Sequence, residues 1–147
     1  MNSGRFILLW NPAVEWTGGG YASTSLDLAL WGSILFNGKL LKEKYLNKLV
    51  DGTSIPSQKN LEYGLGVVIY QDKVLGKIYG HRGWIPGYTS SLKYYNNYGF
   101  TIAIQINTDT ARLDDGSDAI LLLESALSDF ALERNNPNPL IELGKET

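Results

Sequence analysis

The chain contains no cysteine. That excludes disulfides, thiolate catalysis and any zinc or iron–sulfur site built on sulfur. Histidine is nearly as scarce, since His81 stands alone. No H-x-x-x-H pair exists, so a metal site on that imidazole would lack its usual partners, and no metal or other cofactor is expected. Excess positive charge is missing too: 13 Lys and Arg stand against 15 Asp and Glu, for a net charge of −2 at pH 7. Scattered lysines at 39, 42, 44 and 48 give no electrostatic basis for binding nucleic acid. Long apolar runs are lacking as well. Phe6 to Trp10 is too short for a membrane span or a signal-peptide core, so no membrane segment is expected. There is no G-x-S-x-G elbow, the usual sign of a self-contained Ser-His-Asp hydrolase. No internal repeat or low-complexity block interrupts the chain.

What remains is an ordinary globular composition. Apolar residues make up 44% of the 147 positions, charged residues 19% and aromatics 12%. A chain of this size can bury roughly 70% of the surface it exposes when unfolded, enough for one core. Residues 1–22 read as an irregular lead-in ending in T-G-G-G-Y, where consecutive glycines oppose helix and strand alike. Thr24 with Asp27 is a weak capping box, and Leu26, Ala29, Leu30 and Ile34 recur at helical spacing until Asn37-Gly38. A second helix is predicted from about Lys42 to Val50, with Leu41, Tyr45 and Leu49 on one face.

From Leu61 the period becomes extended. Tyr63–Tyr70 and Val74–Tyr79 read as one hairpin, Thr89–Tyr95 and Gly99–Asn107 as another. Phe100, Ile102, Ile104 and Ile106 alternate with smaller or polar residues, which predicts one buried face. A last helix over about Ser117–Glu133 offers Ile120, Leu123, Leu127 and Phe130 or Ala131 to that sheet, and Asp114-Asp115 read as its cap. Residues 135–147 read as a frayed tail. The expected fold is α+β: two helices, an antiparallel sheet of about four strands, and a C-terminal helix on one face of it. Open sheet edges make self-association an expectation.

G-H-R-G-W-I-P-G-Y (Gly80–Tyr88), then T-S-S-L-K-Y-Y and G-F-T-I-A-I-Q-I-N, resembles the C-terminal region of the penicillin-recognising serine hydrolases. Those include class C β-lactamases, D-alanyl-D-alanine carboxypeptidases and related esterases. The upstream run G-G-G-Y-A-S-T-S-L-D-L-A-L-W (Gly18–Trp31), with N-G-K-L-L, resembles the same family's helix segment. The resemblance covers residues 15–135 and implies that 23–134 form the last part of a β-lactamase/transpeptidase-like domain. It implies that His81 and Gly83 occupy the third motif, that the backbone N–H of Trp84 is an oxyanion donor, and that Arg82 replaces a Thr or Ser that touches a substrate carboxylate.

The family's S-x-x-K nucleophile and Y-x-N motif precede the matched region. Ser90-Ser91-Leu92-Lys93 fits the first as a string of letters, but on a strand the serine and lysine point to opposite faces and cannot act together. Tyr94-Tyr95-Asn96 and Tyr95-Asn96-Asn97 fit the second no better in context. The reading is therefore one wall of an acyl-transfer cleft, inactive alone, in a parent acting on a peptide, β-lactam or ester. A periplasmic or exported parent is compatible with this composition. The competing reading is a non-catalytic peptide- or glycan-binding domain derived from that fold. Taken by itself, His81 would be a loop histidine, and Tyr63, Tyr70, Tyr79, Tyr94 and Tyr95 would be sheet packing.

Overall fold

The computed structural model describes residues 11–108 and 110–135. The lead-in over residues 1–10 and the tail from 136 onward lie outside them. The helices are α1 (Ser25–Phe36), α2 (Glu43–Leu49) and α3 (Ala119–Asn135). Six strands, β1 (Thr53–Ser54), β2 (Leu61–Tyr63), β3 (Val68–Asp72), β4 (Gly76–Ile85), β5 (Tyr88–Tyr95) and β6 (Phe100–Ile106), form one sheet in chain order. Each is antiparallel to its neighbour.

The fold is α+β as expected, with two strands more than the four visible in the periodicity. β1 and β2 are too short to show a period of their own. The run Tyr63–Tyr70 breaks where Gly64 N–H bonds Val67 O at 2.8 Å and Gly66 takes φ +74°, a left-handed conformation that favours glycine. β4 is longer than expected, and Gly80–Trp84 belong to it. His81 is thus a strand residue, not a loop residue.

Local chemistry sets the element boundaries. Thr24 caps α1, its Oγ1 accepting from Asp27 N–H at 3.1 Å while its hydroxyl donates to Asp27 Oδ2 at 2.8 Å. The β3–β4 turn is fastened by Asp72, whose Oδ1 accepts from Val74 and Leu75 N–H, each at 2.8 Å. Those two donors hold the Asp72 carboxyl below its ordinary range. α3 is capped by Asp118, which accepts from Leu121 N–H at 3.1 Å. The expected cap Asp114-Asp115 lies outside the helix, where Asp115 instead binds Ser117 N–H and Oγ.

The sheet is covered on both faces. Phe36, Val67, Ile69, Tyr79 and Tyr94 cluster on the α1 and α2 side with Leu46, Leu49 and Val50. Ile78, Tyr95, Ile102, Ile104 and Ile120 cluster on the α3 side. Burying one such isoleucine stabilises the fold by about 2 kcal/mol relative to leaving it exposed. β6 sends its isoleucines to α3, while Thr101 Oγ1 meets Ser33 of α1 at 2.9 Å.

The helices present only part of the faces that their apolar spacing suggested: Ile120 of α3 and Leu49 of α2 do pack inward. α3 turns Ile120, Glu124 and Ser128 inward, and Leu123, Leu127 and Phe130 stand 42%, 42% and 56% exposed. α1 buries Gly32 and Phe36 and leaves Leu26, Leu30, Trp31 and Ile34 outside. In α2 it is Leu46, not the exposed Tyr45, that joins the core. Gly32 lets α1 lie close to the sheet, since a Cβ there would come within 2.9 Å of Leu92 and Thr101 side chains.

Candidate functional site

The motif strand β4 is flanked on both sides for only part of its length. β3 pairs with it from Asp72↔Gly76 to Val68↔Gly80 and stops, whereas β5 continues from Ile78↔Tyr95 to Ile85↔Tyr88. From His81 to Ile85, therefore, no strand among the described residues pairs with the outer side of β4. Ladder geometry assigns the backbone groups along this edge. Ile85 and Tyr88 close the two-residue loop Pro86-Gly87, so Ile85 bonds towards β5, and the alternation turns the N–H of Trp84 to the outer side. The Trp84 side chain is 66% exposed.

His81 stands on this edge. Its Nε2 is 3.0 Å from the hydroxyl of Tyr63 at the end of β2, and its Nδ1 meets the carbonyl of Arg82. Tyr63 is an exposed partner of His81 and not simply part of the sheet packing. The only local signal was Tyr63-Gly64-Leu65-Gly66, whose glycines stop β2 at that edge.

Two glycines shape the strand. A Cβ on Gly83 would approach Ser90 Oγ to 2.5 Å, and one on Gly80 would lie 1.9 Å from the carbonyl oxygen of Leu92. A serine hydroxyl can rotate away, but a paired backbone carbonyl cannot, so Gly80 is the stricter requirement.

Arg82 points to the other face. Its Nη1 lies 2.8 Å from Asp118 and its Nη2 3.2 Å from Glu124. A fork aimed at a substrate carboxylate would first have to leave these two acids. Glu124 is also 2.6 Å from Lys93 Nζ and accepts from Ser91 Oγ. Lys93 lies over the ring of Tyr70, 4.6 Å from its centroid. Burial alone would lower the Arg82 pKa, but the hydrogen bond to Asp118 and the charge of Glu124 outweigh it and raise the value. Burial likewise pushes Asp118 up, and the Leu121 N–H together with Arg82 brings it below the ordinary range. Tyr70 is raised by burial and by the charge of Glu124.

The S-x-x-K string lies on β5. Lys93 is held by Glu124 on the α3 side, while Ser90 is paired with Gly83 and Ser91, not Ser90, shares the lysine's carboxylate. Tyr94 and Tyr95 of the Y-x-N strings are buried in opposite cores. Open grooves of about 410 and 420 Å³ lie beside Ser54–Leu61 and between Tyr70, Lys93 and α3, and His81 lines neither. Among the described residues no group of three or more His, Asp or Glu is placed to hold a metal ion, and no helix is long and apolar enough to cross a membrane.

Several solved structures share this fold, among them the three that follow. A D-stereospecific amidohydrolase from a Streptomyces species is 30% identical with a TM-score of 0.55, over 59% of this chain and 26% of that one. A D-amino acid amidase from Ochrobactrum anthropi SV3, complexed with D-phenylalanine, is 22% identical with a TM-score of 0.55, over 73% and 36%. A penicillin binding protein from Bacillus halodurans is 22% identical with a TM-score of 0.51, over 65% and 27%. The chain thus spans 26–36% of the length of these structures. No curated protein matches it in sequence. The family model described as Beta-lactamase matches residues 2–127, and with most of its length inside that match the chain belongs to the Beta-lactamase family, a β-lactamase-like hydrolase fold.

Proposed function

We propose that this chain forms one wall of an acyl-transfer cleft in a serine hydrolase that cleaves amide or ester bonds through an acyl-enzyme. The observation that carries the reading is that the β3 ladder stops at Gly80 while β4 runs on to Ile85, so that no described strand lies along the outer side of β4 beyond Gly80. An extended substrate laid along that edge meets the outward N–H of Trp84 as an oxyanion donor, and the imidazole of His81 as a hydrogen-bonding group. Gly83 keeps the strand free of a side chain between them. Arg82 enters through its ion pairs, which tie β4 to α3 on the face opposite the cluster of Tyr79 and Tyr94. The relatives named amidohydrolase and amidase favour an amide over other substrates.

The attacking serine, in this reading, belongs to an S-x-x-K helix outside these residues. The apolar outer faces of α1 and α3 are the surfaces on which the remainder of the fold rests. The edge of β6 supplies a further seat. A fluorescent penicillin should acylate a product carrying both this region and such a helix, and should leave the 147-residue chain unlabelled. Covalent labelling of a serine within the 147 residues overturns the placement of the nucleophile.

A further inference from the structure

The tautomer of His81 follows from its two contacts. Nδ1 is bonded to the carbonyl of Arg82, and a carbonyl only accepts, so Nδ1 carries the proton. A neutral imidazole has one N–H. Nε2 is then a lone pair, and the Tyr63 hydroxyl 3.0 Å away is its donor. The rings meet edge to face, with centroids 5.9 Å apart and planes at 81°, which leaves the hydroxyl in line with the imidazole edge instead of its π face.

We propose that Tyr63 is a positioning residue of the β4 edge, fixing His81 as the neutral Nδ1–H tautomer with its Nε2 lone pair held by a phenol. Both hydrogen bonds run in one sense, from Tyr63 O–H to Nε2 and from Nδ1–H to Arg82 O. The ring is thereby pinned between the end of β2 and the backbone of β4. The same Arg82 whose carbonyl accepts from Nδ1–H has its guanidinium anchored by Asp118 and Glu124, so this acceptor is itself held in place. The importance of the tautomer for turnover rests on the acyl-transfer reading, in which His81 would face the substrate as part of a Tyr63–His81 pair. The tautomer itself does not depend on that reading.

His81 is the sole histidine, so labelling histidine with ¹⁵N gives one pair of ring signals with no assignment problem. In the 147-residue chain, at a pH where the ring is neutral, long-range ¹H–¹⁵N correlation should show Nδ1 protonated and Nε2 bare. Tyr63→Phe keeps the ring and removes the donor. It should move the tautomer ratio towards Nε2–H by roughly two- to tenfold, the size of one net hydrogen bond. Because Tyr63 is 43% exposed, the variant should retain the wild-type backbone spectrum. A wild-type ring with its proton on Nε2, or a ratio unchanged by Tyr63→Phe, overturns the assignment. Failure of penicillin acylation would strike the acyl-transfer reading alone and leave this tautomer result standing.

Discussion

Glu124 of α3 and Lys93 of β5 face each other at 2.6 Å with side chains only 4% and 12% exposed, and the same carboxylate receives Arg82 and Ser91. Removing one partner of a buried ion pair leaves the other without compensation, at a cost of roughly 3–5 kcal/mol. Arg82 is a third exposed and can regain water, which places Glu124→Ala near the lower end. The expected loss is about 3 kcal/mol, read from urea unfolding. Glu124→Gln should lose less, because its amide oxygen still accepts from Ser91. A Glu124→Ala chain within about 0.5 kcal/mol of wild type would mean that the pair is open to water.

Gly80→Ala should be more damaging than Gly83→Ala, although only Gly83 belongs to the motif. At position 80 the new methyl meets the Leu92 carbonyl and the β4–β5 ladder must yield, at a cost of about 2–3 kcal/mol. At position 83 it meets Ser90 Oγ, and Ser90→Ala should restore most of the loss. Equal losses at the two glycines, by the same unfolding measurement, would contradict this ordering.

The sequence made legible those elements whose signal is local. Thr24 and Asp27 cap α1, Asn96-Asn97 lie in the turn between β5 and β6, and the isoleucines of β6 share one buried face. Burial of the helices was not legible, for a physical reason. Apolar spacing reports which helix face avoids water, not which neighbour covers it, and α1 and α3 turn Gly32, Glu124 and Ser128 to the sheet beside Phe36 and Ile120. The site divides in the same way. His81, Gly83 and Trp84 fall on one strand and could be read as a run, whereas Tyr63 arrives from β2 through the early end of β3. Pairing of Arg82 with Asp118 and Glu124 likewise depends on where α3 lands, which no spacing rule reports.

The way α3 is seated has a direct test. Ile120 is fully buried and Leu127 is 42% exposed. Ile120→Ala should cost about 2–4 kcal/mol in the 147-residue chain. Leu127→Ala should fall within about 0.5–1 kcal/mol of wild type. Were Leu127→Ala the costlier of the two, the helix would be rotated towards Leu123 and Leu127 and away from Glu124 and Ser128.

Acid should weaken the fold through Asp118 and Asp72, both of which lie below the ordinary value of 3.8 in the folded chain. A carboxyl with a lowered folded pKa binds fewer protons folded than unfolded, so stability rises with pH across that window. The contribution is complete above the unfolded value and disappears as pH falls through the folded one. Midpoints of urea unfolding should therefore drop between about pH 5 and pH 2. Asp118→Asn removes one titrating group and should flatten that slope. An identical profile for the variant would show that Asp118 does not take part.

His81 and Tyr63 should separate in their effect on acyl transfer, measured in a product that carries the proposed nucleophile. His81→Ala removes the side chain that faces the substrate in the proposed cleft and is expected to lower the acylation rate by about 10²-fold, the size of one lost polar contact to the reacting centre. Tyr63→Phe leaves the imidazole in place and frees its tautomer, so the loss should be only roughly two- to tenfold. The double variant should then be no slower than His81→Ala alone, because a residue that acts through the imidazole has nothing to act on once the ring is gone. Multiplying losses in the double variant would instead mean that Tyr63 contacts the substrate independently.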